Sequence, residues 1–367
     1  MAEKIIHQLV HTLSYGDAIS GEVLALARIF RANNIESKIF AMHVHPKLEG
    51  QAEHYQSLLS DFTGEIILHY SLGSPLNELY RRLKSASRTM IYHNLTPAHW
   101  FQGINPRIVR DIEAGTKELP ELCSLSVRLL ADSAFNAGEL KKLGFDAEIL
   151  ELPLDSEKWS VATNPGIYSL VKEQPGVHVM HVGRLAPNKS VEDIIKIFYF
   201  LHHKIEPKST LWLVGIDTDT ELYSFSLRRL VHELDLSDAV RFVGCLADEE
   251  VKALYKASTV YLCMSEHEGF CLPIVEAMYF GLPVVAYSST AIADTVGTGG
   301  ILVAEKRHAE IAELLYEIYS NSELREKLTT AGKKRVEDLS LDRFHARVNQ
   351  VFMPKSSAYE ARAIGDE

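Results

Sequence analysis

The sequence predicts two α/β domains, each a parallel sheet with helices on both faces. Three observations carry that prediction. Short apolar runs alternate with longer amphipathic stretches, the alternation restarts at Val177, and Pro165-Gly166 and Pro175-Gly176 punctuate a looser stretch between the halves. The length, 367 residues, suits two domains with a short extension. The divisions expected are 1–165, 166–340 and 341–367, the last a helix and tail able to cross back to the first domain.

In the first half, Lys4–His11 reads as a strand. Gly21–Ala32 reads as a helix, because Val23, Leu24, Ala27 and Phe30 share one face. Strands follow at Ser37–Met42, at Glu65–His69 after the turn Thr63-Gly64, and at Arg88–His93, with a helix over Leu76–Ser85. In the second half the strands are Val177–His181, Thr210–Val214, Val240–Val243, Thr259–Met264 and Pro283–Tyr287, and the helices Val191–His203, Glu221–Glu233 and Pro273–Phe280. Pro273 suits a first helical turn, having no N–H to lose there and a preset φ. Gly281 suits the residue past the end, and Pro283 confirms the stop. Helices Ala309–Ser320, Ser322–Asp338 and Asp342–Phe352 complete the chain, and the residues beyond Met353 are expected to be mobile.

Composition, 46% apolar and 24% charged, is that of a soluble globular protein. A net charge of −11 disfavours a nucleic-acid partner, because phosphate neutralisation needs an excess of Lys and Arg. Cys123, Cys245, Cys263 and Cys271 show no CxxC spacing, which argues against a zinc-cysteine site and a disulfide framework and fits a reducing, cytoplasmic setting. Met1–Gly16 is too polar for a signal peptide, and no apolar run is long enough to predict a membrane span. Arg81, Arg82, Lys84 and Arg88 cluster on and after one helix. They form either a solvated basic face or a contact with an anionic membrane.

Ligands of parallel sheets bind beyond the carboxyl ends of the strands, so the loops after strands carry the chemistry. The richest is MSEHEGFCLPIVEAMYFGLPVV, residues 264–285, with Glu268 and Glu276 eight positions apart. Gly269 lets backbone approach a ligand, and the helix after it opens with unpaired N–H groups that suit a phosphate or sugar hydroxyl. Glu276, read in the opening turn, either complements the helix dipole or accepts hydrogen bonds from a ribose diol. A second loop, HVGRLAPNKSVEDIIK, holds Gly183, Arg184 and Lys189 ahead of a helix capped by Ser190. Two cations there make either a diphosphate site or a solvated pair. Neither a Walker spacing nor a GxGxxG is present. In the first half, Gly16 and Asp17 follow the first strand, Asp17 as a cap or a ligand contact. His93 ends the strand before YHNLTP.

Together VGRLAPNK, FVGCLADEEVKALYKAS, SEHEGFCLPIVEAMYFGLPVV, YHNLTP and SYGDAIS resemble the family-4 retaining glycosyltransferases, and YHNLTP a bacterial subgroup that builds exopolysaccharides and cell-surface glycans. The resemblance covers nearly the whole chain and implies the GT-B fold, two facing Rossmann-like domains with a donor cleft between them. It implies that Arg184 and Lys189 hold the donor diphosphate and that Glu276 binds the donor ribose. Glu268, with the backbone of Gly269, Phe270, Cys271 and Leu272, would surround the transferred sugar. Cys245 and Leu246 would face the base, His93 the donor hexose, and Gly16 the diphosphate. Gly183 and Gly215 fall in the adjoining donor loops. Cys271 stands where many relatives carry glycine, and Tyr15-Gly16 where many carry two glycines.

The reaction so implied moves a hexose, glucose from UDP-glucose being favoured, to a hydroxyl acceptor, a glycan or lipid-linked saccharide, with retention. No metal or other cofactor is expected. Asp217 and Asp219 form a DTD, but directly after Gly215 in a loop. Front-face attack, with the leaving phosphate deprotonating the acceptor, fits the lack of a persuasive protein nucleophile. Rival readings are a nucleotide-sugar epimerase of similar fold and an inactive sugar-nucleotide-binding or assembly protein.

Overall fold

The computed structural model describes residues 4–353. The expected mobility beyond Met353 lies outside the described residues. The first domain runs β1 (Ile6–Leu13), α1 (Ala18–Ala32), β2 (Ile39–Val44), β3 (Glu53–His54), β4 (Glu65–Tyr70), α2 (Pro75–Arg82), β5 (Ser87–Tyr92), α3 (Pro106–Leu125), β6 (Arg128–Ala131), α4 (Ala134–Lys142) and β7 (Glu148–Ile149). The second runs α5 (Pro165–Lys172), β8 (His178–Val182), α6 (Val191–Phe200), β9 (Thr210–Val214), α7 (Glu221–Glu233), β10 (Val240–Gly244), α8 (Asp248–Ala257), β11 (Val260–Cys263), α9 (Leu272–Tyr279), β12 (Val284–Tyr287), α10 (Ile292–Val296), β13 (Ile301–Val303), α11 (His308–Ser320) and α12 (Ser322–Asp338). Helix α13 (Leu341–Phe352) closes the described chain.

The two sheets have strand orders β3-β2-β1-β4-β5-β6-β7 and β10-β9-β8-β11-β12-β13, with all pairs parallel. Each order reverses beside its first strand, so the crevices open between β1 and β4 and between β8 and β11, where ligands of such sheets sit. The central strands are buried on both faces, β9 throughout its length, which is why they read as continuous apolar runs.

Three expectations are corrected. The stretch around Pro165-Gly166 is not loose. It is helix α5, whose Asn164 side chain accepts from the Ile167 N–H at 3.1 Å and whose Val171 lies in the second core. Asn-Pro is here an N-cap and first helical residue, the other common use of proline. Ser190 does not cap α6 with its side chain; it has φ +47, and the Val191 N–H is taken by the Tyr223 hydroxyl at 2.9 Å. Glu276 is the fifth residue of α9, just past its first turn, because the helix opens at Leu272, one residue earlier than expected.

The chain crosses between domains twice, through the segment after Leu150 and again at Leu339–Ser340, and the crossings are bridged by Leu154 N–H to Leu339 O at 3.0 Å. Helix α13 then packs on the first domain. Phe344, Val348, Val351 and Phe352 join Leu26, Ile29 and Phe30 of α1 in one core.

Candidate functional site

The loops at the two crevices face each other and touch. Ser133 Oγ donates to Gly269 O at 2.8 Å, His267 Nε2 meets Asn94 Oδ1 at 2.6 Å, and Tyr15 Oη donates to Asp248 Oδ2 at 2.5 Å. Asp219 reaches across to Arg107 at 2.9 Å and through its carbonyl to Asn105 Nδ2 at 3.0 Å. The DTD acid is thus an interdomain bridge. A Cβ on Gly269 would stand 2.8 Å from Asn94 Cβ and 2.9 Å from His93 O. Glycine at 269 is what allows the two domains to meet backbone to backbone.

Between the domains lies a cavity of about 360 Å³, lined by Gly16, Asp17, Lys158, Asp248, Leu272 and Glu276 among others. This is within the size range of small-ligand sites. Gly16 and Asp17 arrive on the loop after β1, and Asp17 caps α1, accepting from the Ser20 N–H at 3.0 Å. Glu276 projects from α9 and is buried; Lys158 lies 3.3 Å from one of its oxygens and Tyr255 Oη donates to the other at 3.0 Å. Burial and that carboxylate raise the Tyr255 phenol well above its ordinary range.

The loop after β8 shows a different balance. Lys189 Nζ donates to both oxygens of Glu268, each at 2.7 Å. Burial opposes its charge, but Glu268 holds the ammonium's pKa above the usual lysine value. Among the described residues Arg184 has no such partner: its Nε and one Nη are buried and make no hydrogen bond. Its guanidinium lies 5.9 Å from the Phe101 ring of the first domain, and burial lowers its pKa. The charged groups near Arg184 are Asp219, Glu221 and Arg107, and the one beside Lys189 is Glu268. Lys189 is thus bound to Glu268, whereas Arg184 lies against Phe101.

Cys271 takes φ +76 at the start of α9 and is 9% exposed. A residue with a side chain thus holds a left-handed conformation that glycine adopts freely, at a backbone cost of about 1–2 kcal/mol. Phe270 is buried in the second core and Leu272 packs against it. Gly183 and Gly215 meet each other: a Cβ on Gly215 would stand 1.9 Å from Gly183 O. Cys245 is exposed in the loop after β10, and Leu246 packs inward.

His93 is not open to the cleft. Its side chain is wholly enclosed, Nδ1 meeting Asp132 Oδ2 at 2.9 Å and Nε2 meeting His69 Nδ1 at 2.9 Å. Burial works against its charge, yet Asp132 outweighs this and its pKa is pushed up to about 9. His69 Nε2 meets Gln8 Oε1 at 2.9 Å, and Glu22 of α1 lies 3.5 Å from His93 Nε2 and 3.6 Å from His69 Nδ1. Sequence reasoning missed Glu22, although a carboxylate three, four and seven positions before Ala25, Leu26 and Ile29 sits on the buried helical face. It also missed His69, Asp132, Asn94, His267, Lys158 and Tyr255. Of the basic cluster, Arg81 is paired with Glu121 at 2.9 Å and Arg82 with Glu78 at 3.7 Å, so half of it is neutralised. No helix among the described residues is long and apolar enough to cross a membrane.

Residues 169–335 match the family model described as Glycosyl transferases group 1. The chain is 26% identical over 165 residues to O-antigen chain mannosyltransferase B of Escherichia coli, 44% of this chain and 42% of that protein. It is 32% identical over 165 residues to trehalose synthase of Pyrococcus horikoshii, 43% and 39%. The chain thus spans less than half the length of these curated relatives. Among solved structures, Anabaena HepE in complex with UDP and glucose superposes with TM-score 0.74 at 16% identity, covering 95% of this chain and 99% of that one. Sucrose-phosphate synthase from Thermosynechococcus elongatus gives 0.75 at 16%, covering 95% and 98%. With two Rossmann-like domains in the GT-B arrangement and this match over the second, residues 169–335 are a glycosyl transferases group 1 domain.

Proposed function

We propose that this protein is a retaining glycosyltransferase of the family-4 type. It moves a hexose from a nucleoside diphosphate, UDP-glucose first among candidates, to a hydroxyl of a glycan or lipid-linked saccharide. The observation that carries the reading is Arg184, at the boundary between the domains beside Phe101, whose half-buried guanidinium has two enclosed nitrogens with no hydrogen-bond partner among the described residues. An unpartnered buried cation is costly, and an anion that arrives with the substrate offsets that cost. The departing diphosphate gains negative charge as the sugar becomes oxocarbenium-like, so a preorganised cation there acts mainly in the transition state.

In this reading Lys189 stays on Glu268 and fixes the carboxylate beside the sugar. Glu276 exchanges Lys158 for the ribose hydroxyls. Gly16, at the mouth of the cavity, leaves room for the phosphates. His93 supports the first-domain wall from behind and contacts no substrate in this closed arrangement. Arg184 and the α9 N-terminus are the groups offered to the diphosphate, and no metal is assigned to it. A mannosyl donor is the second reading, favoured by the likeness to the Escherichia coli mannosyltransferase.

The deciding experiment measures nucleoside diphosphate release from UDP-glucose, UDP-galactose, UDP-N-acetylglucosamine and GDP-mannose with lipid-linked acceptors, together with titration of UDP into wild type and Glu276→Ala. Turnover with UDP-glucose and weaker UDP binding by the variant are expected. Binding without turnover of any donor would leave a sensor, and unchanged UDP affinity in the variant would remove Glu276 from the ribose.

A further inference from the structure

We propose that Glu22, His69 and His93 form a binding site for a borderline divalent metal ion of the Zn²⁺ class, enclosed in the first domain. The site lies away from the groups assigned to the diphosphate and does not depend on the glycosyl-transfer reading. Three features point to it. The first is Glu22: its side chain is fully buried and neither oxygen has a hydrogen-bond partner among the described residues. A bare carboxylate in the interior is expensive unless a proton or cation compensates it.

The second is the direction of the rings. His69 turns Nε2 to Gln8 Oε1 and His93 turns Nδ1 to Asp132 Oδ2, each at 2.9 Å. When those outer nitrogens carry the protons, the inner ones, His69 Nδ1 and His93 Nε2, both present lone pairs to the same point. Metal-binding histidines are held in this way, the outer N–H donating to a carboxylate or amide oxygen. The third is spacing. Ligand atoms bound to one tetrahedral Zn²⁺ at about 2.0–2.1 Å stand about 3.3–3.4 Å apart. Glu22 Oε2 lies 3.5 and 3.6 Å from the two nitrogens. The nitrogens themselves are 2.9 Å apart, the distance of a shared proton, so the rings must part by about 0.4 Å to admit an ion.

Charge also balances. A divalent ion with Glu22 and Asp132 as carboxylates and both rings neutral makes a neutral cluster, the ion taking the place of the proton that His93 otherwise carries. Two histidines and one carboxylate leave a fourth position for water. The ion would pin α1 to β4 and to the end of β5, and so fix the loop holding Gly16 and Asp17. The thiol-carboxylate group Cys263, Glu268 and Cys271 is a weaker candidate, because Lys189 occupies both oxygens of Glu268.

The test uses the full chain without a histidine tag. Elemental analysis after purification, then stripping with a chelator and titration with Zn²⁺ and Co²⁺, should give one ion per chain and the visible absorption of four- or five-coordinate Co²⁺. Glu22→Gln should lose at least a hundredfold in Zn²⁺ affinity, while His345→Gln, at an exposed position, should lose nothing. Asp132→Asn keeps all three ligands and should weaken binding about 10–100-fold, which decides the matter if Glu22→Gln does not fold. Stripped wild type that binds Zn²⁺ no more tightly than Glu22→Gln or Asp132→Asn, or that gives only the weak six-coordinate Co²⁺ spectrum, would overturn the assignment in favour of a proton shared between the rings.

Discussion

Gly269→Ala tests whether contact between the domains is part of catalysis. The added methyl carbon would lie 2.8 Å from Asn94 Cβ, 2.9 Å from His93 O and 3.2 Å from Asn136 Nδ2. Carbon atoms prefer about 3.5–4.0 Å, so the domains must part by close to 1 Å at this point. Two hydrogen bonds flank it, Ser133 to Gly269 at 2.8 Å and His267 to Asn94 at 2.6 Å. Losing both costs the closed form about 2 kcal/mol at about 1 kcal/mol each, or about thirtyfold in its population. If only the closed form reacts, kcat falls about thirtyfold while each domain keeps its fold. Position 269 is outside the left-handed region, so alanine adds no backbone strain. The assays are UDP-release kinetics and small-angle scattering, which should show a larger radius of gyration with UDP bound. Gly138→Ala, in open space within α4, is the control and should be neutral or stabilising. A Gly269→Ala protein with wild-type kcat and wild-type radius would refute the reasoning.

Other perturbations separate the charged groups. Arg184→Gln should lower kcat about 100–1,000-fold, the usual effect of removing one preorganised donor. It should leave the melting temperature of the nucleotide-free protein unchanged or higher, since the cation removed is unpaired; a lower value would mean Arg184 has a structural partner. Lys189→Gln should instead destabilise the free protein by about 3–5 kcal/mol, because it strands the buried Glu268, and chemical denaturation that shows less than 1 kcal/mol would contradict the pairing. Glu276→Ala should weaken UDP binding about tenfold to a hundredfold, as for hydrogen bonds to a charged acceptor, measured by calorimetry. His181 is 1% exposed, its Nδ1 donates to Leu262 O at 3.0 Å, and burial pushes its pKa down to about 4. Between pH 6.5 and 4 the unfolded chain therefore binds a proton that the folded chain refuses, and stability drops as pH falls through that window, by up to about 3 kcal/mol. Urea unfolding of His181→Asn should show a shallower pH slope, and parallel slopes would exclude this source.

The strands were legible because those of parallel sheets bury both faces and appear as apolar runs bounded by turns. The loops of the candidate site were legible because their glycines, cations and carboxylates lie within short stretches of chain. What escaped prediction depends on distant partners. Nothing near Ser190 reveals that Tyr223, on the next helix, takes the Val191 N–H. His93 reads as a strand-end histidine facing a ligand, and only the fold places His69, Asp132 and Glu22 around it. Gly215 reads as a ligand contact, yet its need for glycine comes from Gly183. Arg184 and Lys189, five positions apart, were read as one pair. Lys189 instead bonds Glu268, while Arg184 lies against Phe101.

The return of helix α13 to the first domain has a consequence for biosynthesis. Phe30 packs against Phe352 at a ring separation of 5.2 Å, yet more than three hundred residues separate them in translation order. The domain made first is therefore the last to be finished. Until helix α13 has left the ribosome, the side of Ile29 and Phe30 that it covers faces solvent or a chaperone, while the second domain already has every strand of its sheet. A chain truncated before Leu341 would carry that unsealed apolar stripe permanently, and aggregation of such fragments would originate in α1, far from the cut.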